Sequence, residues 1–158
     1  DPLGVQVAAA LKNVVAIAAG VADGLGFGSN ALAALITRAL AEISRLGVAL
    51  GARRDTFMGL AGLGDLVLTC TGGLSRNRQV GQQLGRGQSL ASVLSGMTMV
   101  AEGVETCRAA RALAELRGVP MPIVEQVHSI LFEAKDPRSA LADLLARPLR
   151  AEPEEPRP

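Results

Sequence analysis

Lys12 is the residue of this sequence most suited to chemistry. It stands between Ala8-Ala9-Ala10-Leu11 and Val14-Val15-Ala16-Ile17. An ammonium among apolar neighbours loses hydration, and an amine pushed toward neutrality can take a proton or, in the reverse direction, give one. A lysine near a helix end avoids this by running its alkyl stem out to water. Lys12 lies in the middle of a helical pattern and has no nearby end. Asp65 is the second charge in an apolar setting, within Leu63-Gly64-Asp65-Leu66-Val67-Leu68. Alone it reads as a helix cap or a structural hydrogen bond. Charges removed from water need partners, however, and Lys12 and Asp65 can supply each other.

A second constellation follows the turn at Thr71-Gly72-Gly73: Ser75-Arg76-Asn77-Arg78. Ser75 suits the cap of a helix starting here. A helix start offers free N–H groups and the positive end of the dipole, and Arg76 adds a fork-shaped donor that matches phosphate. An ordinary capped surface helix would have the same residues. Further on, Glu102 in Ala101-Glu102-Gly103-Val104-Glu105 is ordinary matching of a helix dipole. One His and no C-x-x-C leave no metal-ligand spacing. Cys70 and Cys107 read as two reduced thiols rather than a disulfide. No strand–loop–helix unit carries G-x-G-x-x-G, and Gly24-Leu25-Gly26-Phe27-Gly28 follows a helix, the wrong context for a nucleotide fingerprint.

The elements that must position these residues are helical. Aromatics are only 2% of the chain, so the core falls to Ala, Leu, Val and Ile, and the first two are strong helix formers. Helical periodicity runs over 5–22 and 31–50, the latter with Arg38, Glu42 and Arg45 on one polar face. Asp55 is placed as the cap of a short helix. Residues 65–70 fit strand or helix equally well. Helices are predicted over 75–84, after Ser89, over 100–116 up to Gly118, over 123–133, and over 138–145 behind Asp136-Pro137. The expectation is an all-α domain of roughly six to eight helices over 1–147, with a Pro- and charge-rich disordered tail over 148–158. A net charge of +1 gives no electrostatic footprint for nucleic acid or an anionic membrane. No uninterrupted apolar run reaches the roughly 18 residues of a membrane span. The start at Asp1-Pro2 is neither an initiator Met nor a charged signal region, so the chain reads as a piece of something longer.

Five stretches together resemble bacterial-type NAD(P)-dependent glycerol-3-phosphate dehydrogenase. They are Ala10-Leu11-Lys12-Asn13-Val14, the Gly24 to Ala31 loop, Gly62-Leu63-Gly64-Asp65-Leu66-Val67-Leu68-Thr69-Cys70-Thr71, Ser75-Arg76-Asn77-Arg78, and Val100-Ala101-Glu102-Gly103. The resemblance covers about 4–145. It implies the helical C-terminal substrate domain of the 6-phosphogluconate-dehydrogenase-like superfamily, with the Rossmann domain outside this sequence. It implies an enzyme that interconverts sn-glycerol 3-phosphate and dihydroxyacetone phosphate with NAD or NADP, in the cytoplasm, for phospholipid synthesis. It makes Lys12 the proton acceptor from the C2 hydroxyl. It places Asp65, Ser75, Arg76 and Asn77 on the substrate, joined by Asn13 and Thr69. Arg76 also touches the dinucleotide, and Val100 and Glu102 lie along it. The partner implied is a small molecule; a homodimer is left open. Two other readings stand beside this one: a 3-hydroxyacid-type dehydrogenase of the same superfamily with a similar lysine, and a non-enzymatic helical dimerisation module.

Overall fold

The computed structural model describes residues 1–97 and 101–146. The expected disordered tail and Val100 lie outside the described residues. Within them are nine α-helices, one more than the upper end of the expectation, and no strand. They are α1 (Pro2–Gly24), α2 (Ser29–Ala49), α3 (Arg54–Met58), α4 (Asp65–Thr71), α5 (Arg76–Gly85), α6 (Leu90–Ser95), α7 (Glu102–Arg117), α8 (Pro122–Phe132) and α9 (Pro137–Leu145). A π-helical turn, Leu60–Gly64, leads directly into α4. The apolar run at 65–70, ambiguous by pattern, is therefore helical.

α1 is the axis of the domain. Its apolar residues occur on every face, so it folds by being surrounded. Val14, Ala16 and Ile17 are fully buried. The other helices, α2, α4, α5, α7 and α8 among them, pack around it. At 23 residues and a mean hydropathy of 1.7 it has the length and apolarity of a membrane span, yet 61% of that stretch is buried inside the protein. Its start is fixed by Asp1, which accepts from the Gly4 N–H through Oδ1 (3.0 Å) and from the Arg53 N–H and Thr56 hydroxyl through Oδ2 (2.8 and 2.6 Å). One carboxylate thus ties α1 to α3. Asp55, expected to cap α3, lies instead in its first turn, because Arg53 is the residue that precedes the helix.

α1 and α5 cross in backbone contact. A Cβ on Gly20 would lie 2.0 Å from the Arg78 carbonyl oxygen, and one on Gly81 would lie 2.0 Å from that of Ile17. Gly24 and Gly85, one turn further along each helix, meet in the same way. Small residues four apart on both partners let helix backbones approach this closely. The crossing sets α5, which begins at Arg76, against the helix that carries Lys12.

Two helices are capped from elsewhere in the chain. α7 and α8 follow Ala101 and Met121, neither of which caps through its side chain. The Asn77 side chain on α5 accepts from the Gly103 N–H at 2.9 Å. The Glu42 carboxylate on α2 accepts from the Ile123 N–H at 3.2 and 3.0 Å. Glu42, expected on a polar surface face, is only 4% exposed. Its carboxylate replaces water at the start of α8, where the helix dipole favours negative charge. The local caps form as expected: Ser75, Ser89 and Asp136 each accept from the N–H three residues on. Gly118, with φ 62°, ends α7 in the left-handed conformation that glycine adopts freely.

Candidate functional site

Lys12 and Asp65 meet. The Lys12 ammonium donates to Asp65 Oδ2 at 2.5 Å, and the two side chains are 23% and 34% exposed. Each element puts its charge where it is needed for a local reason. Lys12 is a mid-helix residue of α1 with buried Leu11 and Val14 on either side of its turn. Asp65 stands where the π-helical turn runs into α4; its own N–H is taken by the Leu60 and Gly62 carbonyls, and its carboxylate turns to the lysine. Thr69, one turn later, donates its hydroxyl to the Asp65 carbonyl at 2.6 Å and lies 3.4 Å from Oδ1. Asp65 therefore holds the lysine through one oxygen, while the other lies beside the Thr69 hydroxyl, whose proton goes to the Asp65 carbonyl. Both charged groups keep a path to solvent.

A second pair lies at the start of α5. Arg76 reaches Glu102, in the first turn of α7, at 3.6 Å, with the two side chains 38% and 63% exposed. Ser75 Oγ accepts from the Arg78 N–H at 3.3 Å, and its carbonyl accepts from Gln79. The N–H groups of Arg76 and Asn77 have no acceptor among the described residues. A helix start with two open N–H groups beside an accessible guanidinium suits a phosphate. Arg78 has a different task. Its side chain is 17% exposed and pairs with Asp23 at 3.1 Å, where Gln82 also donates. That contact fastens α5 to the end of α1.

The two pairs belong to one patch. Asn13 follows Lys12, and its carbonyl lies against Gly103, where a Cβ would sit 2.7 Å from that oxygen and 2.7 Å from Asn77 Oδ1. Gly103 follows Glu102, and Asn77 follows Arg76. The chain of contacts from Lys12 to Arg76 thus runs through Asn13, Gly103 and Asn77 without a gap. Asn13 itself is half-buried, and its amide donates to the Ala9 carbonyl at 3.4 Å. Asn77, expected on the substrate, is 7% exposed and has its oxygen committed to Gly103. Gly103 stands in a stretch that carries the family resemblance, yet the sequence assigns it no role; the one signal is a helix-weakening glycine immediately after Glu102.

Other features do different work. A groove of about 670 Å³ between the end of α7 and α8, lined by Arg111, Glu115, Met121, Gln126 and Ser129, contains none of these residues. Arg111 there is engaged by Glu115 and Glu133, and its hydrogen bond holds the Glu133 carboxyl below the usual range. Cys70 and Cys107 are free, fully buried thiols, pushed up to about 12 by burial. They are too protonated to act as nucleophiles. Among the described residues no group of three or more His, Cys, Asp or Glu could hold a metal.

Comparison with known proteins gives one consistent result. A sequence-family model described as NAD-dependent glycerol-3-phosphate dehydrogenase C-terminus matches residues 1–142. The chain is 64% identical over 152 residues to glycerol-3-phosphate dehydrogenase (NAD(P)+) of Syntrophotalea carbinolica, covering 96% of this chain and 46% of that protein. It is 61% identical over 152 residues to the enzyme of the same name from Solidesulfovibrio magneticus, with the same two coverages, 96% and 46%. The structure is similar to the crystal structure of glycerol-3-phosphate dehydrogenase from Coxiella burnetii, with a TM-score of 0.91 at 46% identity over 93% of this chain and 45% of that one. The chain spans about half the length of the curated relatives it matches.

Proposed function

We propose a function from one premise: this chain belongs to the family of NAD-dependent glycerol-3-phosphate dehydrogenase C-terminal domains. In this reading it is the substrate domain of an enzyme that interconverts sn-glycerol 3-phosphate and dihydroxyacetone phosphate. The observation that carries the reading is the Lys12–Asp65 pair, joined by direct contacts to a helix start suited to phosphate.

Oxidising a secondary alcohol requires loss of the hydroxyl proton as hydride leaves C2. Lys12, as the free amine, takes that proton at Nζ; as ammonium it returns one to the carbonyl oxygen in the reverse direction. Asp65 offsets the positive charge that forms on the lysine and, with Thr69 beside it, fixes the Nζ position. Arg76 and the first N–H groups of α5, shaped by the Ser75 cap, hold the phosphate. Asn13 lines the path between. Arg76 and Glu102, both reaching solvent, offer the donor and acceptor that a dinucleotide's phosphate and sugar hydroxyls need, so the residues present fit the edge of such a group. NAD or NADP supplies the hydride acceptor chemistry when bound. The small-molecule substrate is the partner this mechanism needs, and a homodimer enters no step of it. Two unpaired thiols fit a cytoplasmic location.

The phosphate-binding helix start favours this reading over a 3-hydroxyacid dehydrogenase. A dimerisation module calls for an exposed Lys12 and needs no polar cluster, whereas the Lys12 side chain is 23% exposed and paired with Asp65. The test uses the full-length enzyme that contains this chain: turnover of dihydroxyacetone phosphate compared with unphosphorylated dihydroxyacetone. A strong preference for the phosphorylated ketone supports the reading. Equal turnover of the two overturns it.

A further inference from the structure

We infer that the side-chain oxygen of Asn77 and Gly103 form a positioning lock: together they fasten the first turn of α7 onto α1 beside Lys12, and so hold Glu102 opposite Arg76, leaving the Asn77 amide nitrogen to the substrate. The inference rests on the function proposed above. Four observations carry it. The residue before α7, Ala101, has no capping side chain, so the first N–H groups of that helix need an acceptor from elsewhere. Asn77 Oδ1 supplies one to Gly103 at 2.9 Å in a buried setting. Asn77 is 7% exposed, one of three buried polar or charged residues among those described, and another of them, Glu42, caps α8 in the same manner. Finally, position 103 has no room for a side chain, since a Cβ would lie 2.7 Å from the Asn13 carbonyl oxygen, 2.9 Å from its carbon and 2.7 Å from Asn77 Oδ1.

The Asn13 carbonyl belongs to the backbone of α1 and cannot swing aside. A methyl group at 103 must therefore lift α7 from α1 or displace the Asn77 amide. Either movement shifts Glu102 relative to Arg76, because each flanks one member of the lock. Loss of the Asn77 oxygen acts at the same point, leaving the Gly103 N–H buried without an acceptor. Both changes spare the Lys12–Asp65 contact, which lies between α1 and α4. They should weaken retention of the phosphorylated substrate and leave proton transfer nearly intact.

The experiment is a double-mutant cycle in the full-length enzyme with Gly103→Ala, Asn77→Ala and the two combined. Kinetics are measured with dihydroxyacetone phosphate. The amide exchange of residue 103 is followed by mass spectrometry in the wild type and in Asn77→Ala. Each single variant is expected to raise KM about tenfold, or about 1.4 kcal/mol, with kcat within a few-fold of wild type. The double variant should be no worse than the poorer single one, because either change alone already frees α7 from the lock and the second has nothing left to break. Amide 103 should exchange slowly in the wild type and quickly in Asn77→Ala. Multiplying effects, an unchanged KM in Gly103→Ala, or slow exchange in Asn77→Ala would each overturn the lock. If Gly103→Ala fails to fold, the exchange result in Asn77→Ala decides alone. A wild-type enzyme that ignores dihydroxyacetone phosphate would instead sink the proposed function, while the exchange result would still judge the lock.

Discussion

Replacing Lys12 by Met separates a catalytic lysine from a structural one, because the geometry assigns the two roles different magnitudes. The Lys12 and Asp65 side chains are 23% and 34% exposed, so their attraction is screened and their desolvation is incomplete. Such a pair is worth about 1 kcal/mol at most. Methionine fills much of the lysine's volume, and Asp65 keeps Thr69 and a path to water. For a protein of this size a loss of about 1 kcal/mol lowers Tm by about 2–4 °C. Activity should respond on another scale. Removing a general acid–base group costs about 10²–10⁴-fold, which is about 2.7–5.4 kcal/mol of activation free energy at 1.36 kcal/mol per decade. The expected result for full-length Lys12→Met is thus a small melting shift with a kcat at most about a hundredth of wild type. Lys12→Arg should restore the charge and the melting temperature but not the rate, since a guanidinium does not release its proton near neutrality. The assays are NADH oxidation with dihydroxyacetone phosphate and thermal melting by circular dichroism. A Lys12→Met enzyme that keeps more than about a tenth of wild-type kcat, or melts far lower while still turning over, would make Lys12 a structural partner of Asp65.

Three further outcomes are expected. Arg76→Ala should raise the substrate KM by an amount equivalent to about 1.5–3 kcal/mol without lowering Tm, whereas Arg78→Ala should lower Tm, since Arg78 joins α5 to Asp23; a larger KM effect from Arg78→Ala would point to the other arginine. Gly81→Ala should cost about 3 kcal/mol or more in urea unfolding, at or above the upper end of overpacking, because the new methyl would meet the Ile17 carbonyl of a packed helix rather than a side chain that can rotate; a loss below about 1 kcal/mol would show that the crossing can open. The buried thiols give the third. Cys70 and Cys107 are raised from 9.0 to about 12, so the unfolded chain releases their protons first; stability is fully present below pH 9 and falls as pH rises from 9 towards 12. Urea midpoints across that window should fall less steeply for Cys70→Ala/Cys107→Ala than for the wild type, and equal slopes would refute the assignment.

What was legible in the sequence divides by range. Ser75, Ser89 and Asp136 could be read as caps because the oxygen and the N–H it accepts from are three residues apart, within one turn. The Lys12–Asp65 pair spans 53 positions. It was still legible, because two isolated charges in apolar stretches each need a partner and no other candidate had so apolar a setting. Residues 65–70 were not, since a short apolar run fits either period and the π-helical turn that starts α4 leaves no periodic mark. Gly20, Gly24, Gly81 and Gly85 read as weak points in helices until the crossing of α1 and α5 shows that only glycine fits there.

The two caps supplied from other helices leave no mark in the sequence around the capping residue. Asn77 and Gly103 are 26 positions apart, and Glu42 and Ile123 are 81 apart. Glu42 stands with Arg38 and Arg45 at helical spacing, which is also the pattern of a solvated face. What distinguishes the two cases is the neighbour's need rather than the residue's own surroundings. α7 and α8 begin after Ala101 and Met121, which cannot cap them, and buried N–H groups must find acceptors. An uncapped start whose first residues are buried is thus itself a signal: it demands a polar side chain from elsewhere in the fold. Asn77 meets that demand for α7, and it does so between Arg76 and the helix that carries Lys12. The acceptor that completes a helix is also the one that registers the two ion pairs of the site against each other. A substitution there should therefore change binding before it changes the fold.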